Sequence, residues 1–252
     1  MPVRTLLTWN LGTSDAALAV VERYVKRLLS RRHEHVVALQ ESPDSADQVR
    51  ARTGGHACGN GGLVLLSSEP FRHSELHNRF VMGVISFGGP EVAVFDYHGH
   101  SRRETLSDKV RGGFASEYRW IFDHLAGSRD ALVLGDFNAR PLDHEVSHRA
   151  CFSFQRRDDA PDPRTLRSHH SRPRKDMRFV APPDEVGATH YYDTGEGAVE
   201  KLVYDYLAAS IPIAHQLRGV EVVKELESTP LGSDDGRPTI SDHFPVRARW
   251  EY

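Results

Sequence analysis

Short apolar runs that stop abruptly on polar residues set the tightest limit on what this chain can fold into. "VRTLLTWN", "HVVALQE", "GGLVLLSS", "RFVMGVISF", "EVAVFDYHG" and "ALVLGDFN" follow one another through the first 138 residues. Each is too short for a buried helix and rich in apolar, often β-branched residues, and so reads as a strand. Between the first two, "SDAALAVVERYVKRLLSRR" has Leu18, Val21, Val25 and Leu28 at helical spacing, with Ser14 placed to cap it. A second helix is expected around residues 114–125. In the second half "EKLVYDYLAAS", "GVEVVKEL" and "FPVRARWEY" read as strands, separated by a long polar segment and by the turn-rich "STPLGSDDGRPTISD". No repeat, low-complexity tract or linker divides the chain. The expectation is a single α/β domain over residues 1–252, with mixed sheets and outer helices.

Composition narrows the setting. With 252 residues, 39% of them hydrophobic, the chain can bury a substantial core. A formal net charge of −3 excludes a uniformly basic nucleic-acid coat, yet it permits a local basic groove. Cys58 and Cys151 lie far apart without metal-ligand spacing, which argues against a disulfide framework or a cysteine zinc site. No apolar stretch is long enough to span a bilayer, and "MPVRTLLTWN" lacks the tripartite form of a secretory signal. A cytoplasmic protein that does not engage membranes is therefore expected.

The polar residues at the strand ends carry the functional signal. Asn10, Glu41 and His98 end three of the runs, and Asp136 with Asn138 ends a fourth. Residues two apart on a strand face the same side, so Asp136 and Asn138 are expected to project together. Asp205 interrupts an apolar run, and a buried carboxylate needs a partner; His243, which with Asp242 precedes the last strand, is the candidate. Any one of these could belong to a turn, but together they suggest one shared pocket.

"TWNLG", "LQE", "YHGHS", "LGDFNARP", "YDYL" and "ISDHFPV" occur in an order and at separations that resemble the endonuclease/exonuclease/phosphatase family, which includes DNase I, exonuclease III-type enzymes and sphingomyelinases. The resemblance runs over residues 10–246, and "GDFN" and "SDHFPV" are its most specific parts. It implies a four-layer α/β sandwich, two packed mixed sheets flanked by helices, with the site at one rim. It also implies metal-dependent phosphoester hydrolysis, with Glu41 as the main Mg²⁺ ligand assisted by Asn10 and Asp242, and Mn²⁺ as a substitute. Asp136 would orient or deprotonate the attacking water, and Asn138 would hold that water or a phosphate oxygen. His98, and His243 held by Asp205, would face the remaining phosphoryl oxygens. This division suits the chemistry, because a phosphodiester's negative charge repels hydroxide and calls for a cation, donors on the oxygens and an aligned nucleophile.

A rival motif lies in the same region. "HEVSH" at residues 144–148 is a literal H-E-x-x-H, which on a helix would place His144 and His148 on one face for Zn²⁺, with Glu145 as a peptidase base. It begins three residues after Pro141, no third ligand follows at a familiar spacing, and 15 histidines make a chance match ordinary. A solvated helix start is the plainer account.

The substrate is less legible. Residues 155–178 hold eight Arg or Lys against four Asp, with three prolines, and are expected to form an exposed basic insertion. Arg172, Arg174 and Lys175 could clamp a nucleic-acid backbone there, with Arg102 and Arg103, and Lys109 beyond them, adding positive potential near His98. A solvated insertion fits equally well. Aromatic residues for stacking bases are scarce in both segments, so base-specific readout is not indicated. No export signal of the kind secreted DNase I and sphingomyelinase types carry is visible. Where inositol-polyphosphate phosphatases carry a Trp-Cys-Asp-Arg-type motif this chain has "LVYDYL", and "YHGHS" lacks the tyrosine placement usual in abasic-site endonucleases. The expectation is a nuclease or DNA-end-processing phosphodiesterase, with a small-molecule or lipid phosphoesterase as the alternative.

Overall fold

The computed structural model describes residues 3–99, 130–138, 152–154, 177–180, 188–193 and 199–251. The first half supplies β1 (Val3–Asn10), α1 (Asp15–Ser30), β2 (His35–Gln40), α2 (Ala46–Thr53), β3 (His56–Asn60) and β4 (Leu63–Ser67). Then come β5 (His73–Leu76), β6 (Phe80–Ile85), β7 (Val92–His98) and β8 (Asp130–Asp136). The second half contains β9 (Phe152–Phe154), β10 (Met177–Val180), β11 (His190–Asp193), β12 (Val199–Leu202) and β13 (Asp205–Ser210). It closes with α3 (Ile211–Ala214), β14 (Leu217–Val222), β15 (Glu225–Leu226), β16 (Thr229–Pro230) and β17 (Val246–Glu251).

Two mixed sheets form the body of a four-layer α/β sandwich. One runs β14-β17-β1-β2-β4-β3 and the other β5-β6-β7-β8-β13-β10-β9. Strand alternation divides each first-sheet strand between two cores. Leu7, Trp9, Val37 and Leu39 face the stripe of α1 that includes Leu18, Val21, Val25 and Leu28. Leu6, Val36, Ala38 and Leu65 face the other way, against Val81, Val94, Leu132, Leu134 and Leu207 of the second sheet. The far face of the second sheet is buried as well, with Phe80, Phe95, Tyr97 and Tyr206 fully enclosed. Ser14 caps α1 by accepting from the Ala17 amide at 3.2 Å. Among the described residues, no helix is long and apolar enough to cross a membrane.

Several expectations need redrawing. "EKLVYDYLAAS" is two strands: β12 pairs with β11 in a small hairpin, and β13 joins β8 in the large sheet. The chain changes partners across Val203 and Tyr204, so Asp205 begins a strand. "GVEVVKEL" likewise divides into β14 and β15, because β14 pairs with β17 while β15 turns back on β16. Helix α2 is polar, with Val49 and Thr53 its buried residues, and is set by a Ser45–Gln48 capping box and the left-handed Gly54. Met177 and Arg178, at the end of the basic segment, belong to β10. The helix expected at residues 114–125, the "HEVSH" motif and residues 155–176 lie outside the described residues.

One close approach fixes the level at which β8 delivers its last residue. Gly135 stands opposite Tyr97 in the parallel β7/β8 pair, and a Cβ there would lie 1.9 Å from the Tyr97 carbonyl oxygen. Gly135→Ala should therefore cost about 3 kcal/mol or more, read as a lower urea midpoint with an unchanged slope. A variant as stable as the parent would contradict the observed strand spacing.

Candidate active site

The site grows out of the core between the sheets. Its inward-facing rows are apolar in the middle and become polar toward one rim: Leu6, Thr8, Asn10 on β1; Val92, Val94, Asp96, His98 on β7; Leu132, Leu134, Asp136 on β8. Parallel pairing sets Asn10 beside Gln40 and His98 beside Asp136. The antiparallel strand β13 begins at this rim, with Asp205 opposite Asp136.

Asp136 is the hub. Its carboxylate is 1% exposed, and its Oδ2 accepts from Asn10 Nδ2 at 3.0 Å. The same oxygen lies 3.8 Å from the Nε2 of both His98 and His243. The strand stops here, so alternation does not govern Asn138. That residue has a φ of 50°, its amide donates to Asp136 Oδ1 at 2.8 Å, and its Nδ2 donates to the Gly99 carbonyl at 3.0 Å. The pair is thus a side-chain-closed turn that also carries polar groups at the rim. Phe137 anchors it from the opposite face, stacked on Tyr206 at 4.1 Å between ring centroids.

Glu41 lies one residue past β2 with a φ of 50°, a costly conformation for a residue bearing a Cβ. Continued extended, it would face α1 with Val37 and Leu39. Instead its Oε1 lies 3.2 Å from Asn10 Nδ2 and 3.5 Å from His98 Nε2. Backbone bonds brace the turn, with Thr13 N donating to Glu41 O and Ser42 N to Gly62 O. Asn10 spends its oxygen on the Gly12 amide at 3.0 Å. What Asn10 offers the two carboxylates in this arrangement is its NH₂.

Asp205 is fully buried, its Oδ2 lies 2.8 Å from His243 Nδ1, and its backbone amide donates to Thr189 Oγ1 at 3.1 Å. Burial disfavours a charged His243, but the Asp205 and Asp136 carboxylates outweigh it and raise the imidazole pKa to about 10. Buried anchors hold the loop: Trp9 Nε1 donates to His243 O at 2.9 Å, and Ser241 Oγ donates to Asn10 O at 2.8 Å. Asp242 is exposed, with Oδ1 3.0 Å from where a Gly12 Cβ would sit.

The structure also brings in His190, which sequence reasoning missed. Its ring lies 4.3 Å from that of His243, and burial lowers its pKa. No strand-end signal marks it in the sequence; the β11/β12 hairpin delivers it. Among the described residues, two trios have ligand atoms within 4.8 Å of one another: Asp136, Asp205 and His243, and His190, Asp242 and His243. Arg102, Arg103, Arg172, Arg174 and Lys175 lie outside the described residues.

A family model described as "Endonuclease/Exonuclease/phosphatase family" matches residues 7–243. No curated protein matches significantly in sequence. Among solved structures, the endonuclease domain of TRAS1, a telomere-specific non-LTR retrotransposon, superposes with a TM-score of 0.62 at 11% identity, covering 99% of each chain. The 3'-5' exonuclease NExo from Neisseria meningitidis gives 0.62 at 20% identity, over 98% of this chain and 100% of its own. An AP endonuclease from Archaeoglobus fulgidus gives 0.59 at 16%, over 98% and 99%. These likenesses show the fold.

The His243 environment has a measurable consequence in chelator-treated protein. Its folded pKa of about 10 exceeds the ordinary value of 6.5. The stabilisation is thus fully present below about pH 6.5 and is lost as pH rises through about 10. Imidazole NMR should show His243 still protonated at pH 8, and Asp205→Asn should lower its pKa by more than one unit. An ordinary titration near 6.5 in the parent would contradict this.

Proposed function

Because this chain belongs to the endonuclease/exonuclease/phosphatase family, we propose that it is a divalent-metal-dependent phosphodiesterase acting on nucleic acid, with DNA as the expected substrate. The observation that carries the reading is the buried Asp136 carboxylate, enclosed by the Asn10 amide and two imidazoles within 3.0 to 3.8 Å. The fold relatives named for endonuclease and exonuclease activities support the choice of nucleic acid.

The donors at the rim suit a hard cation. Glu41 Oε1 and Asp136 Oδ2 converge on one Asn10 NH₂ at 3.2 and 3.0 Å, and Asp242 is exposed near Gly12. Oxygen donors carrying excess negative charge at a half-open site match Mg²⁺ or Mn²⁺. Glu41 would hold the ion, with Asp242 assisting, and Asn10 would orient the two carboxylates. When bound, the ion supplies Lewis acidity to a phosphoryl oxygen and offsets the carboxylates' repulsion of the substrate.

The remaining steps belong to the chain's own groups. Asp136 accepts a proton from water as the water oxygen attacks phosphorus. The imidazolium of His243, held through Nδ1 by Asp205, presents its Nε2–H to a phosphoryl oxygen, where negative charge builds. His98 donates to a second oxygen, and Asn138 holds the water or a phosphate oxygen. The P–O ester bond breaks and the departing oxygen takes up a proton from solvent. In this reading the sandwich over residues 1–252 acts as one domain in the cytoplasm, and Arg172, Arg174 and Lys175, with Arg102 and Arg103, grip the nucleic-acid backbone.

A panel of plasmid, single-stranded DNA, RNA, an aryl phosphodiester, phosphoinositides and casein tests the assignment, each with Mg²⁺, Mn²⁺, Zn²⁺ or chelator. We expect chelator-sensitive cleavage of nucleic acid that falls about a hundredfold or more in Asp136→Ala and is unaffected by Glu145→Ala. Undiminished cleavage by Asp136→Ala, or casein hydrolysis that needs Glu145, would overturn it. Neutralising Arg172, Arg174 and Lys175 together should flatten the salt dependence of DNA binding by about one slope unit per lost phosphate contact. An unchanged slope would remove these residues from the interface.

A further inference from the structure

One level beneath the rim lies a buried polar trio that the chemistry above does not use. Thr8 is two residues before Asn10, Gln40 immediately precedes Glu41, and Asp96 is two residues before His98; all three are fully buried. Thr8 and Gln40 belong to the first sheet and Asp96 to the second. Gln40 Nε2 donates to Asp96 Oδ1 at 2.5 Å and reaches Thr8 Oγ1 at 3.2 Å. The Gln40–Asp96 bond therefore crosses the core between the sheets, among side chains that are otherwise apolar.

From this geometry we propose that Asp96 is a positioning residue, which clamps Gln40 across the sheets and so fixes the left-handed turn that aims Glu41 at the rim. The functional consequence rests on the phosphodiesterase reading. An acid at this depth is costly: burial pushes its pKa well above the usual carboxylate range, against the Gln40 side chain and the Val64 and Leu39 backbone amides, which favour its charged form. A leucine of similar shape would leave the buried Gln40 NH₂ without an acceptor on the second sheet. An acceptor at this point does serve Gln40. Its side chain would otherwise be anchored through Thr8 alone, on its own sheet, leaving the next residue free to shift against Asn10, Asp136 and His98. The clamp needs only an accepting oxygen facing Gln40, which asparagine also supplies.

The test compares Asp96→Leu, Asp96→Asn and Gln40→Met with the parent, using thermal midpoints, backbone amide NMR shifts at Asn10 and Glu41, and Mn²⁺ binding by electron paramagnetic resonance. Glu41→Gln serves as the control for the metal site. Asp96→Leu should fold with a lowered melting temperature, move the Asn10 and Glu41 resonances and weaken Mn²⁺ about tenfold. Gln40→Met should do the same to both readouts, and it carries the test if Asp96→Leu does not fold. Asp96→Asn should restore parental shifts and affinity. Unmoved resonances in Asp96→Leu or Gln40→Met, or an Asp96→Asn variant as perturbed as Asp96→Leu, would overturn the proposal. If the parent shows no Glu41-dependent Mn²⁺ binding, the metal reading fails, and the NMR shifts alone still decide the role of Asp96.

Discussion

Face-to-face packing of the two sheets is the constraint on which everything else depends. It forces the inward row of each strand to be apolar through the middle, with Leu6, Val36, Val94, Leu134 and Leu207 meeting in one cluster. Only at the rim, where the sheets no longer close on each other, can those rows carry polar groups cheaply. Parallel pairing of β1 with β2, and of β7 with β8, brings the carboxyl ends of four strands to that rim, and β13 starts there in the opposite sense. Polar residues from well separated parts of the chain thus meet at that rim.

Within each motif, adjacent residues divide the work by facing opposite ways. In "GDFN", Gly135 permits close strand approach, Asp136 faces the site, Phe137 stacks in the opposite core, and Asn138 closes the turn. In "SDHF", Ser241 ties the loop to Asn10 O, Asp242 remains exposed, His243 pairs with Asp205, and Phe244 is buried against the α1 side. The polar residues are held by their apolar neighbours. Glu41 and Asn138 both adopt left-handed backbone conformations, a local cost that the surrounding hydrogen bonds offset.

Much of this was legible in the sequence, and the exceptions have physical causes. Strands such as "RFVMGVIS" are readable because burial on both faces demands continuous apolar residues. Helix α2 is not, because "ADQVRART" buries too little to show a period; its signals are the Ser45–Gln48 box and Gly54. The division between β12 and β13 is invisible because the two strands run on with only Val203 and Tyr204 between them and differ in partner. Asp136 and Asn138 were readable as neighbours, but a turn joins them and strand alternation does not. His190 reaches the rim through a hairpin whose pairing no local pattern encodes. Asp96 was open to the argument that singled out Asp205, an acid within an apolar run, since its partner Gln40 stands beside Glu41.

Under the proposed function, the two sheets together present a divalent-cation site at the Asn10–Glu41–Asp136 rim. Anomalous diffraction from crystals soaked in Mn²⁺ tests it most directly. We expect a peak within bonding distance of the Glu41 carboxylate and beside Asp136, lost in Glu41→Gln crystals. A peak held only by His190, Asp242 and His243, or no peak at the rim at saturating Mn²⁺, would contradict it.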